Sequence, residues 1–295
     1  MTYIYFERRY RIAVWAVSFF ISASLILLVL LRGMQYTTGN YMIPTSQAYN
    51  NTLVLSLTLL LGFPGIVEYN NNRWRSAVNK NVPILLRDLS ESVRSGLSLI
   101  RALEDASTRD YGPISKPLEA AMVRFNLTSD IEGSLRWLGD ELIQPAARRM
   151  SVILIEAYST GGRAIEILHV SANLFTRLAE YQNERDAEMR PYTFVVYLGS
   201  LVFMAISFIV ITQFLVPLTA SSADPLVAQS GLLSNILSIN YYKAILFWAA
   251  VIEALFSGLI AGKIRTGRVS SGLIHSVILL LLTVVFFNSF SVKGV

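Results

Sequence analysis

Apolar positions in this chain follow two patterns. Toward the ends they form long unbroken runs, and in the middle they form short sets at helical spacing. Ile12–Leu31, Tyr192–Leu215, Ala244–Ala261 and Leu273–Phe290 each approach the roughly 20 residues a membrane-crossing helix needs. A fifth run, Leu53–Val67, is shorter and contains Gly62, Pro64 and Gly65. It reads either as a re-entrant piece or as a span extending toward Tyr69; the span is preferred because the topology then closes. Between these runs, Leu85, Leu86, Leu89, Val93 and Leu97 recur every three to four residues, the mark of one buried helical face. Gly96 interrupts this set, and Ser98 is placed to cap a second helix carrying Leu99, Ile100 and Leu103. Gly112-Pro113 breaks the chain. A helix starts near Pro117, and Asp130 caps the next, with Ile131, Leu135, Leu138 and Leu142 apolar. Gln144-Pro145 opens Ala146–Thr160, which ends at Gly161-Gly162. A last long helix runs from Ile165 through Phe175 toward Pro191, which marks the approach to the next span. Period-two alternation and Asn-Gly or Asp-Gly turns are lacking, so strands are not expected.

The pattern predicts an all-α integral membrane protein. Five transmembrane helices accompany a cytoplasmic bundle of about six helices in two similar halves. The expected divisions are 1–67 with two spans, 68–191 as the bundle, and 192–295 with three spans and a basic turn at 262–272.

Charge sharpens this layout. Glu68–Pro191 holds 16 of the 25 Lys/Arg and 17 of the 20 Asp/Glu, so the net +5 of the chain arises outside it. Arg8, Arg9 and Arg11 precede the first span, and Lys263, Arg265 and Arg268 lie between the last two. The loop Arg32–Thr52 has only Arg32, Pro217–Tyr241 has no basic residue, and the tail has only Lys293. Basic and non-basic sides alternate, which places the N-terminus and bundle inside and the C-terminus outside. The positive balance is therefore a topology signal and does not call for a nucleic-acid partner. The first run is too long for a signal-peptide core, and no small-residue cleavage site follows it. Asn50-Asn51-Thr52 spells a glycosylation sequon at the outer membrane surface; Asn126-Leu127-Thr128 spells one on the inner side.

Candidate chemistry is sparse. There is no cysteine, which excludes disulfides and thiolate metal sites. His169 and His275 stand alone, read as a bundle-face and a membrane-interface residue, and no metal or cofactor is expected. Gly258-Leu259-Ile260-Ala261-Gly262-Lys263-Ile264 has one residue too few for a phosphate loop, and Ile264 stands where the magnesium-binding hydroxyl would be. It reads instead as small-residue packing, with Gly258 and Gly262 on one helix face. Leu138-Gly139-Asp140 lacks the first glycine of the intramembrane aspartyl peptidase motif. No nucleophile elbow is found either, so no enzyme activity is expected. Glu253 is a carboxylate within a span, a functional position by default. It reads first as a hydrogen-bonded packing group, and alternatively as part of a transporter or channel pathway.

Two stretches carry a family resemblance. Leu85-Leu86-Arg87-Asp88-Leu89-Ser90-Glu91-Ser92-Val93-Arg94-Ser95-Gly96-Leu97-Ser98-Leu99 and Glu156-Ala157-Tyr158-Ser159-Thr160-Gly161-Gly162 look like the helix–glycine–helix hairpins of the type II secretion F-domain family, with Gly96, Gly161 and Gly162 at the turns. Ser257–Ile264 followed by Gly272-Leu273-Ile274-His275-Ser276 is similar to the turn signature of its archaeal-type branch. Many archaeal relatives carry two such domains, whereas this chain has room for one. The family comprises polytopic platform proteins of type IV pilus, archaellum, tight-adherence and type II secretion machines. The resemblance implies no cofactor, a cytoplasmic secretion ATPase and pilin subunits as partners, and a homodimer in the cytoplasmic membrane. The ATPase contact is expected at the bundle and at Lys263, Arg265 and Arg268. Glu253, Gly258 and Gly262 are expected to serve span packing or pilin handling.

Overall fold

The computed structural model describes residues 5–33, 44–217 and 239–291. Lys293, most of the Pro217–Tyr241 loop and positions 34–43 of the Arg32–Thr52 loop lie outside the described residues. All regular structure among the described residues is helical. The helices are α1 (Arg8–Gly33), α2 (Gln47–Arg94), α3 (Leu99–Ser107), α4 (Ser115–Thr128), α5 (Ile131–Glu141), α6 (Pro145–Thr160), α7 (Ala164–Ile209), α8 (Ile239–Thr266) and α9 (Leu273–Ser291). Five stretches are long and apolar enough to cross a membrane: Arg8–Leu31, Gln47–Arg94, Pro145–Leu215, Asn240–Thr266 and Val269–Ser289.

Contacts divide the chain into two compact units. The first is Met1–Tyr5 with Asn70–Ala187; the second is Phe6–Tyr69 with Glu188–Val295. The first unit shares one core from the end of α2 to the start of α7. Leu85, Leu86 and Leu89 of α2, Leu103 of α3, Leu118 of α4, Leu135 and Leu138 of α5, Leu154 of α6 and Leu168 of α7 are all fully buried. Each such side chain contributes about 1.5–3 kcal/mol on leaving water.

Local chemistry sets the breaks in this unit. α2 ends at Gly96, whose φ of 102° is left-handed, and the Leu97 N–H returns to the Ser92 carbonyl at 3.2 Å. Ser98 accepts from the Arg101 N–H to cap α3, and Asp130 accepts from the Gly133 N–H to cap α5. Pro145 occupies the first turn of α6, where a missing N–H costs nothing. α4 begins at Ser115, two residues ahead of the expected Pro117 start, because a short 3₁₀ turn at Gly112–Ile114 leads into it.

The second unit contains α1, the first part of α2, the later part of α7, α8 and α9. Its core gathers Val54, Ile211, Phe247, Ala250, Leu279 and Leu280. A π-helical turn, Val210–Leu215, closes the α7 span.

One sequence expectation needs correction. The Leu53–Val67 run and the Leu85–Val93 helix are one helix: α2 begins at Gln47, inside the presumed loop, and continues past Pro64 and Pro83. Pro191, expected at the approach to the next span, lies inside α7, which runs on without a break. A proline deletes one backbone hydrogen bond. At Pro191 the orphaned carbonyl belongs to Ala187, which is exposed, so water can take its place.

Candidate functional site

Within the second unit the chain concentrates its unusual residues where α8 turns into α9. The turn is short because three glycines remove side chains. A Cβ at Gly258 would fall into the Ser276 backbone, and one at Gly262 into the Gly272 backbone. At Gly272 it would meet Leu259 Cα at 2.5 Å. The two helices therefore cross backbone against backbone, and the Ser276 hydroxyl donates to the Leu255 carbonyl across the crossing at 2.8 Å. Gly258 is thus taken up by the chain's own α9, and Gly262 by the turn that enters it. Gly267, with φ of 73°, reverses the chain after α8, and a 3₁₀ turn at Val269–Gly272 enters α9. Lys263, Arg265 and Arg268 ring this reversal, exposed and without an ion pair among the described residues.

Glu253 sits three turns back along α8. Its Oε1 accepts from Ser200 of α7 at 2.8 Å and from Ser257 at 2.8 Å. Its Oε2 is buried without a hydrogen-bond partner among the described residues. The carboxylate therefore ties α7 to α8 through hydroxyls. His275 pairs with the Tyr197 hydroxyl at 2.7 Å, again between α9 and α7.

A further carboxylate was not legible as a site in the sequence. Glu68, buried on α2, meets Arg11 of α1 at 3.2 Å and accepts from Ser270 at 3.0 Å. The one signal for it is an acid placed immediately after the apolar run Leu53–Val67. Ser200, Ser257 and Tyr197 carried no signal, since hydroxyls in apolar runs are common.

In the first unit, His169 lies between Arg94 and Asn173, 3.2 Å from each. Tyr111 is 2% exposed and donates to Asp88 at 2.8 Å. Burial first, and then that hydrogen bond to a carboxylate, push the Tyr111 phenol up to about 12. Gly161, with φ of 57°, and Gly162 form an open turn between α6 and α7, with nothing against them. No group of three His, Cys, Asp or Glu able to hold a metal occurs among the described residues. Asn50 of the first sequon is fully buried. Its amide donates to the Pro44 carbonyl and accepts from the Trp248 indole, so no glycan can be attached there in this fold.

Residues 85–212 match the family model described as type II secretion system (T2SS), protein F. An uncharacterized protein of Methanocaldococcus jannaschii is 27% identical over 241 residues, covering 80% of this chain and 36% of that protein. The chain thus spans about a third of the length of that relative. No solved structure matches this chain.

Proposed function

We propose, from the type II secretion protein F domain that residues 85–212 carry, that this multi-pass membrane protein is a platform for assembling a type IV pilus-like filament. In this reading a cytoplasmic secretion ATPase supplies the ATP chemistry, and pilin subunits are inserted or extracted beside the spans. The observation that carries it is the extent of the match. It begins in the core of the first unit and runs on into the apolar span of α7. Proteins with this domain generally work with a secretion ATPase and pilin in membrane machines.

The basic clusters Arg8–Arg11 and Lys263–Arg268 support an orientation with the 70–187 unit in the cytoplasm and the C-terminus outside. A homodimer completes the proposal. The ATPase contact is assigned to the cytoplasmic unit together with Lys263, Arg265 and Arg268, which are exposed and free to meet an acidic surface. Glu253 bonded to two serines supports a packing role over the transporter reading, which would want charged partners.

The test is recruitment. The purified full chain in lipid nanodiscs is expected to bind its secretion ATPase, and Lys263→Glu, Arg265→Glu and Arg268→Glu together are expected to weaken binding at least tenfold. Absence of binding by the native chain removes the platform reading. Unchanged binding by the triple variant removes the turn from the contact.

A further inference from the structure

Glu68 gathers three elements of the second unit at one end of the spans. Arg11 stands at the first turns of α1, and Ser270 in the turn before α9. Below this bridge lies a narrow cleft. Its apolar wall is Val14, Trp15, Pro64, Val67 and Leu273, and its polar rim is Arg11, Glu68 and Ser270. The cleft is thus polar at the end where the chain leaves the apolar run and apolar along the span.

Charge at this end is unbalanced. The short stretches 7–11, 68 and 263–270 carry six cations, Arg8, Arg9, Arg11, Lys263, Arg265 and Arg268, against two carboxylates, Glu7 and Glu68. Glu68 is engaged by Arg11 and Ser270, and its side chain is 5% exposed. Arg8 lies three residues before Arg11 and so on the same face of α1. Arg268 lies two residues before Ser270. Both are exposed, without an ion pair among the described residues. Trp15, one turn beyond Arg11, is an indole of the kind that settles at the membrane–water interface.

We propose that this cleft is a binding site for one anionic phospholipid. Arg8, Arg11 and Arg268 hold the headgroup phosphate, and an acyl chain lies on Val14, Trp15 and Val67. Charge complementarity selects the occupant: excess cations at the rim ask for an anion, and the apolar wall beneath them asks for a chain. The proposal rests on the chain crossing a membrane; it shares Arg268 with the proposed motor contact, but its test contains no ATPase, so the two can fail separately.

The full-length protein is reconstituted in phosphatidylcholine vesicles with trace spin-labelled phosphatidylglycerol or spin-labelled phosphatidylcholine. The protein-immobilised fraction of each label is read by electron spin resonance. Each basic residue near a headgroup is worth about 1 kcal/mol, or about fivefold. Phosphatidylglycerol is therefore expected to be preferred about fivefold or more. Arg8→Gln with Arg268→Gln leaves only Arg11, whose charge Glu68 offsets, and is expected to bring the ratio near one. Val14→Trp, which fills the cleft and changes no charge, is expected to lower it as well, with circular dichroism confirming retained helix in each variant. A native ratio near one overturns the proposal. So does a ratio unmoved by both variants, which would leave the cations with an orienting role alone. Competition by inorganic phosphate at equal effect would assign the rim to a free anion and overturn the lipid.

Discussion

Replacing Gly272 with alanine places a methyl carbon where α8 already runs. Gly272 has no left-handed φ, so alanine's backbone preference is not the obstacle and only space is at issue. The new Cβ would lie 2.5 Å from Leu259 Cα and 2.7 Å from the Gly258 carbonyl oxygen. Carbon–carbon contact is comfortable at about 3.5 Å. The two backbones must then part by about 1 Å, since both obstructing atoms are main chain and cannot rotate away. Overpacking of this kind costs about 1–3 kcal/mol. Separation also stretches the Ser276–Leu255 hydrogen bond, and interhelical bonds in membranes average about 0.6 kcal/mol. We expect a total loss of about 2–3 kcal/mol. Gly199→Ala is the control. It sits inside α7 with nothing within 4 Å of its added Cβ, and is expected to be neutral or to gain up to about 1 kcal/mol from helix propensity. Both variants are unfolded by SDS titration in mixed micelles and followed by far-ultraviolet circular dichroism. Coincident midpoints for the two would refute the claim that the crossing is closed by glycines.

Tyr111→Phe removes the donor to Asp88 and is expected to cost about 1–2 kcal/mol at neutral pH, measured by the same titration. The Tyr111 phenol titrates at about 12 in the fold against an ordinary 10, so its contribution is complete below pH 10 and is lost as pH rises toward 12; the native chain should therefore lose its advantage over Tyr111→Phe across that window, and a constant difference through pH 12 would count against the bond. Glu253→Ala leaves Ser200 and Ser257 without their acceptor and is expected to cost about 0.6–1.7 kcal/mol, whereas Glu253→Gln, which keeps an oxygen for both, is expected to stay within about 0.5 kcal/mol of native. Equal losses in the two would mean that the carboxylate's charge matters and the hydroxyl bonds do not.

Helices and their caps were written locally, and so were visible in the sequence. Ser98 and Asp130 cap helices because a short side-chain oxygen reaches an N–H only three residues away, and Gly96 ends α2 because its own φ permits it. Apolar run length is equally local, which is why all five spanning-competent stretches could be placed. The same local reading did not show that Leu53–Val67 and Leu85–Val93 belong to one helix running past Pro64 and Pro83. A proline's effect depends on whether the freed carbonyl finds another partner, and that is decided by what surrounds it.

Sequence alone therefore determined the all-helical class, the membrane spans and the small-residue face of Gly258 and Gly262. Only the tertiary structure decided that this face is filled by α9 and the turn that enters it, that Glu253 is bonded by Ser200, and that Glu68 joins Arg11 to Ser270. Run length and helix capping depend on neighbours a few residues apart. The partner of a buried carboxylate is a residue 53, 57 or 202 positions away (Glu253 to Ser200, Glu68 to Arg11, Glu68 to Ser270), chosen by which helices meet and at what level. An isolated sequence pattern carries no record of that choice.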